Sequence, residues 1–324
     1  VDSTASITMG AIESTCILNS KGKKMNPFRG QGLKSEHFNH EVNYIIDNFL
    51  VEQAITIYFA PPKQGKSRYS LGLTKYLYEN TDKIIQYFDF DNPLSALKER
   101  GASKIIEELC ERLDYVHPET AAMTSHEVLK LVVDGAVGDA YRDYIFFFDS
   151  ITDFVRDVQN EAMAKSFMNA MKRLRNAGAT VILLHHTNKN EKNYQGAGVF
   201  KSAADNVYFM RQGNGTVEND LFLLDVEAGR FHVENSAFYL DKKTYDLSIV
   251  AYDQAMIRPE EQSFIDSIKE VIKKNPDGIG QSQLLAEIGK AKDDKLARTN
   301  LAKYTGRFWE VKDGKGKLKL YFLI

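Results

Sequence analysis

The 324 residues carry 43% hydrophobic and 27% charged side chains at a net charge of −2, the balance of a soluble globular protein. That charge makes no global case for nucleic-acid binding, so any basic surface has to be local. Cys16 and Cys110 are too few and too far apart for a disulfide framework or a zinc site, no apolar run approaches the roughly 20 residues of a membrane span, and the polar start lacks a secretory core, which together suit a reducing cytoplasm.

Residues 1–35 are rich in Ser, Thr, Gly and Lys without sustained periodicity and read as a flexible N-terminal arm. Phe38, Val42, Ile45, Ile46 and Leu50 fall at helical spacing and predict a helix over about 36–50. The stretch 36–255 then reads as one α/β domain. Strands are expected at 54–59, 83–89, 143–149, 180–186, 206–211, 221–226, 236–240 and 246–251. Helices are expected at 67–79, 93–100, 102–112, 125–136 and 160–176. Early strands separated by helices imply parallel β-α-β units, and the closely spaced later strands imply antiparallel pairs along one edge of a mostly parallel sheet.

Arg258-Pro259-Glu260-Glu261 marks a boundary, and residues 260–324 have a different rhythm. Helices are expected at about 260–274, 281–289 and 294–305, followed by strands at 307–312 and 317–323 around Asp313-Gly314-Lys315-Gly316. Three helices and a hairpin is the order of a small winged-helix domain. Its basic set includes Lys290, Lys292, Lys295, Arg298, Lys303, Arg307, Lys312, Lys315, Lys317 and Lys319, answered locally by Asp293, Asp294, Glu310 and Asp313. Lys315 and Lys317 at the hairpin would meet backbone phosphate if the module binds duplex DNA, while winged helices also dock on proteins. Trp309 is expected to pack the hairpin onto the helices rather than to stack on a base.

Ala60-Pro61-Pro62-Lys63-Gln64-Gly65-Lys66-Ser67 carries the chemistry. It reads as a phosphate-binding loop, G-x-x-x-x-G-K-[ST], with alanine at the first glycine. A β-branched and aromatic run precedes it and a helical pattern follows, so backbone N–H groups and the helix dipole converge on one point. Pro62, Lys63, Gln64 and Gly65 would cradle phosphate, Lys66 would neutralise its charge, and Ser67 would hold Mg²⁺. Asp149 ends the apolar run Tyr144–Phe148 and would share that Mg²⁺ at the sheet edge.

Hydrolysis of ATP also needs a carboxylate near the γ-phosphate. Asp89 and Asp91 both follow Tyr87-Phe88; alternation along a strand lets only one face the nucleotide, and Asp91, at the turn before Pro93, is the better placed. His185-His186 ends another apolar run, with no acid or histidine at the spacing a metal site needs. One histidine, His186, would reach the phosphate while its neighbour packs underneath. The Asn188–Gly198 segment that follows, with Lys189 and Lys192, is rich in Asn, Lys and Gly and could track a single-stranded phosphodiester backbone.

Phe59–Ser67, Phe88-Asp89-Phe90-Asp91-Asn92-Pro93, Phe148-Asp149-Ser150, Leu184–Lys189 and Gln195–Val207, in this order, resemble the RecA-like P-loop ATPases, particularly the hexameric replicative helicases of plasmids and phages. The resemblance covers roughly residues 40–250. It implies an ATP-driven motor on single-stranded DNA, assembled as a homo-oligomeric ring with ATP between subunits. Asp91 would match the family's catalytic acid, His186 its γ-phosphate sensor and Arg230 the arginine finger given by a neighbour, with Arg211 as a fallback. A RecA-like regulator or recombination mediator that uses ATP as an assembly switch is the alternative. Ala60, the aspartate in place of the usual glutamate, and Ala228 where some relatives have a second basic sensor depart from the pattern. An aspartate reaches less far, which leaves room for slow hydrolysis.

Overall fold

The computed structural model describes residues 32–35, 41–187, 198–314 and 318–324. Lys189, Lys192, Lys315 and Lys317, and most of the 1–35 arm, lie outside them. Two short strands come first, β1 (Tyr44–Ile46) and β2 (Leu50–Val51), where the sequence predicts a helix. The apolar spacing there is real, but Asn48 takes φ 53° between the two apolar stretches, and β1 pairs antiparallel with β2. Asparagine tolerates that left-handed turn, and the turn overrides the helical period.

The main domain continues with β3 (Ile55–Ala60), α1 (Lys66–Asn80), β4 (Ile84–Asp89), α2 (Leu94–Glu99), α3 (Ala102–Glu108), β5 (Leu113–Val116), α4 (Pro118–Ala121) and α5 (Ser125–Asp134). Next come β6 (Tyr144–Asp149), α6 (Ile151–Phe154), α7 (Glu161–Asn176), β7 (Thr180–His186), α8 (Val199–Ala203), β8 (Asn206–Gln212), β9 (Asn219–Gly229), β10 (Ser236–Asp241), β11 (Leu247–Val250) and α9 (Tyr252–Ala255). Nine strands form one sheet in the order β11-β10-β9-β8-β3-β7-β6-β4-β5. From β8 to β5 every pairing is parallel, and β9, β10 and β11 extend the other edge antiparallel. The fold is therefore α/β with a large, mostly parallel central sheet. β5 is absent from the sequence expectation because Leu113-Asp114-Tyr115-Val116 is too short for a period to emerge.

The sheet is apolar on both faces, as a parallel sheet between helices must be. Tyr58, Ile85, Tyr87, Ile145, Phe147, Ile182 and Leu184 point to one core with Leu73 and Leu77 of α1 and Ile105 of α3. Their chain neighbours Ile57, Phe59, Phe88, Phe146, Phe148, Val181 and Leu183 point to a second core with Phe167, Met168 and Met171 of α7. Successive residues alternate faces, so each apolar run feeds two layers of helices.

The C-terminal stretch holds α10 (Pro259–Lys274), β12 (Ile279–Gly280), α11 (Gln281–Glu287), α12 (Lys295–Lys303), β13 (Trp309–Asp313) and β14 (Lys319–Leu323). The strands form an antiparallel sheet in the order β12-β14-β13. Its core is its own: Ile265, Ile268, Ile272, Leu284, Leu285, Leu301 and Trp309 are buried together. Trp309 donates Nε1–H to Leu301 O at 3.0 Å, so the indole is committed to packing. Several of the basic residues are answered locally, Lys303 by Glu261 at 2.9 Å, Lys312 by Glu310 at 2.5 Å and Lys319 by Asp313 at 2.8 Å. All three cores lie in a single compact unit, Asn43–Ile324.

Gly178, between α7 and β7, takes φ +96°, and a Cβ there would lie 2.7 Å from Arg142 Cα and 2.8 Å from Arg142 N. Both contacts are backbone, so neither can swing aside. Gly178→Ala is expected to cost about 1–3 kcal/mol, read as a lower urea midpoint at unchanged m-value.

Candidate functional site

The carboxyl ends of β3, β7, β6 and β4 share one edge, where parallel α/β sheets place their ligands. Register puts Ala60 opposite His186 and Asp89 opposite Asp149. Beyond that edge lies a cleft of about 420 Å³, lined by Pro62, Lys63, Gly65, Lys66, Ser67, Arg68, Asp91, Asn92, Arg100 and His186. The structure thus brings Lys66, Ser67, Asp91 and His186 together from three separate segments.

The loop of residues 61–65 reverses the chain from β3 into α1. Left-handed backbone falls at Lys63 (φ 65°) and Gly65 (φ 74°). Gly65 also lies under Phe222, where a Cβ would meet the ring at 3.1 Å. Ala60 needs no such freedom. It is the last residue of β3, buried in the core, with its carbonyl accepting from Thr187 N at 3.1 Å. The missing first glycine therefore carries no conformational cost. Gln64 lies outside the lining, its Oε1 accepting from Gln212 N at 3.2 Å.

α1 begins at Lys66 without a side-chain cap, and the N–H groups of a helix's first turn have no intrahelical acceptor. Over a 15-residue helix these donors and the dipole make the cleft floor attractive to an anion. Lys66 is nearly buried beside them, and its Nζ lies 3.0 Å from His186 Nδ1. Burial lowers the Lys66 pKa, while the charges of Asp149 and Asp91 oppose that shift. His186 Nε2 lies 3.7 Å from Asp91 Oδ2, and the interaction with His186 holds the Asp91 carboxyl below its usual value. His185, one residue earlier, is fully buried with its ring 5.2 Å from Phe200.

Asp89 and Asp149 are both fully buried. Tyr115 OH donates to Asp89 at 2.6 Å and Tyr87 OH to Asp149 at 2.9 Å, with Ser70 Oγ 2.5 Å behind Tyr87. Burial first, then the charge of Asp89, pushes the Asp149 pKa up to about 7, partly offset by Ser67 and Tyr87. Asp149 Oδ1 is buried without a hydrogen-bond partner among the described residues. An orphaned carboxylate oxygen beside a hydroxyl fits a small hard cation, which takes oxygen ligands and keeps several waters. Ser67 and Asp149 are the residues that would hold it. Among the described residues no group of three or more His, Cys, Asp or Glu side chains is placed to hold a metal ion, so such a cation would keep most of its ligands from water or a bound phosphate.

Residues two apart in a strand share a face, so alternation does not separate Asp89 from Asp91 as expected; β4 ends at Asp89, and the turn that follows does. Asp89 N–H acceptance shows why: its Oδ1 takes the backbone N–H groups of Asp91 at 3.2 Å and Asn92 at 3.0 Å, folding the turn back over the strand end. Arg230 does not line this cleft. It is 51% exposed, donating to Asp205 Oδ1 at 3.0 Å and Ser202 O at 3.1 Å. Arg211 pairs with Asp225 at 2.8 Å. Sequence reasoning missed Asn92, Arg100, Tyr87 and Tyr115. Asn92 stood inside a quoted segment, whereas Tyr115 sits on the unforeseen β5 and left no signal.

No protein-family model matches the chain, and no curated protein matches it. No helix among the described residues is long and apolar enough to cross a membrane.

The raised Asp149 pKa has a sign. The native state holds this proton up to about pH 7, whereas an unfolded aspartate releases it near 4. The unfolded state therefore binds fewer protons in that interval, and stability falls as pH rises through it. In EDTA, unfolding free energy is expected to fall by a few kcal/mol from about pH 4.5 to 7.5 relative to Asp149→Asn. Parallel pH profiles for the two proteins would contradict this.

Proposed function

We propose that this chain is a RecA-like P-loop ATPase, an ATP-hydrolysing motor on single-stranded DNA of the replicative-helicase type, with a winged-helix module at its C-terminus. The observation that carries the nucleotide reading is the convergence, on the uncapped start of α1, of Lys66, Ser67, Asp91 and His186 around one cleft, with Asp149 fully buried 3.5 Å from Asn92 of its lining. The DNA and ring assignments rest on the sequence resemblance, and the C-terminal order of three helices and a hairpin fits the module.

In this reading the first-turn N–H groups of α1 bind the β-phosphate, and Lys66 bridges β- and γ-oxygens. Burial makes that lysine's charge costly without an anion, so a phosphate gains more from it than in water. Mg²⁺, held through Ser67 and Asp149, would neutralise charge on the phosphates. Asp91 orients and deprotonates the attacking water; its depressed pKa keeps it ionised at neutral pH, and also makes it a modest base. His186 touches both Lys66 and Asp91 and so can report whether the γ-phosphate is present. Arg230, exposed and outside its own cleft, is available to act on a neighbour's nucleotide once it leaves Asp205.

The tether of Arg230 to Asp205 also favours a second reading, a DNA-binding regulator or recombination mediator in which ATP switches assembly. Closed rings in negative-stain images with ATP and DNA fit the motor, whereas filaments or dimers fit the switch.

Phosphate release and binding of a fluorescent ATP analogue test the catalytic roles. Lys66→Ala is expected to lose analogue binding, and Asp91→Asn to keep it while turnover falls about 10²–10⁴-fold. Single-stranded DNA is expected to raise the wild-type rate. An unchanged rate in Lys66→Ala, or turnover indifferent to DNA, sinks the ATPase and the motor respectively.

A further inference from the structure

Asn92 has no part in the chemistry above, yet its carboxamide sits at the centre of the site. Nδ2 lies 3.2 Å from Ser67 Oγ, 3.1 and 3.2 Å from the two oxygens of Asp89, and 3.5 Å from Asp149 Oδ2. An amide nitrogen has two N–H bonds and cannot aim one at each of four oxygens. It occupies the position among them that a cation takes among oxygen ligands, and Ser67 and Asp149 are the groups that fit one. The neighbouring Asp149 Oδ1 is buried and unpartnered among the described residues, as expected where the substitute fills only part of the role.

The amide orientation follows from its surroundings. Oδ1 accepts from Arg100 Nη1 at 3.1 Å. The flipped amide would set its carbonyl oxygen against the two carboxylates and its NH₂ against a guanidinium. The backbone is held as well, by Asn92 N donating to Asp89 Oδ1 at 3.0 Å and by His117 Nε2 2.9 Å from Asn92 O. The side chain alone is left to move, on two rotatable bonds.

We propose that the Asn92 carboxamide is a plug in the cation site: without metal it holds Ser67, Asp89 and Asp149 together in the cation's place, latched by Arg100, and it swings out when the cation enters. Two buried carboxylates side by side need a donor between them, and the plug keeps the site assembled rather than collapsed or splayed. The cost is competition. Only the unplugged fraction of molecules can take the cation, so apparent metal affinity is lowered by that fraction. Release of Asn92 also frees Arg100, which lines the same cleft, to face phosphate. The inference rests on the proposed nucleotide site for the identity of the cation, and on the Asn92 contacts for the plug.

Mn²⁺ titration of the nucleotide-free chain, followed by the electron paramagnetic resonance signal of the free ion and by thermal unfolding, tests it without any activity. Asn92→Ala is expected to bind Mn²⁺ roughly tenfold more tightly than wild type, and Arg100→Ala to shift the same way by less. Weaker binding in Asn92→Ala would make the amide a ligand, and equal binding would show that it does not compete; either overturns the plug. Should Asn92→Ala fail to unfold cooperatively, Arg100→Ala decides alone, because its guanidinium contacts neither carboxylate. A fluorescent ADP analogue in EDTA separates the two proposals. No binding there or with Mg²⁺ added removes the nucleotide reading, while the order of Mn²⁺ affinities still supports or overturns the plug.

Discussion

Two fully buried carboxylates, Asp89 and Asp149, stand opposite one another at the ends of adjacent parallel strands, and the architecture of the site is organised around keeping them there. At an inter-strand spacing of roughly 5 Å and an effective dielectric near 20, their mutual repulsion is on the order of 3 kcal/mol. The chain answers with neutral donors: Tyr115 and two backbone N–H groups on Asp89, Tyr87 on Asp149, and the Asn92 amide between them. None of these is a cation, and burial first, then the charge of Asp89, raises the Asp149 pKa.

The same sheet edge explains why the lysine sits where it does. Lys66 opens α1 directly after the loop, so its position is set by the strand–loop–helix geometry rather than by attraction to the acids. Its side-chain partner is His186, at the end of β7, the strand that lies between β3 and β6 in the sheet. Lys66, His186 and Asp91 form a short chain along the cleft, with Ser67 also in its lining, while Asp149 is fully buried outside it.

Much of this was legible in the sequence because local patterns carried it. The long apolar runs at 54–59, 143–149 and 180–186 became β3, β6 and β7 with bounds shifted by a residue at most, since a strand buried on both faces leaves no room for polar residues. Lys66, Ser67, Asp91 and His186 were identifiable because each sits just past such a run, where side chains can emerge from the sheet edge. What failed did so for identifiable reasons. The helical spacing of Val42, Ile45, Ile46 and Leu50 was outweighed by one left-handed asparagine, and Tyr115 was invisible because its four-residue strand has meaning only beside β4. Alternation could not separate Asp89 from Asp91, which are two apart in the chain; the turn after β4 sets them apart.

The sequence by itself determined the parallel α/β layering, the loop at 60–67 and the set of polar residues placed at strand ends, because these follow from periodicity and from the chemistry of neighbours in the chain. Only the tertiary structure decided which of those residues meet. Strand order put β7 beside β3 and β6 beside β4, bringing His186 to Lys66 and Asp149 to Asp89 across sequence separations of 120 and 60 respectively. It also showed that position 60 needs no glycine and that the Asn92 amide lies among Ser67, Asp89 and Asp149. Such facts depend on distances between segments remote in sequence, and no local pattern encodes them.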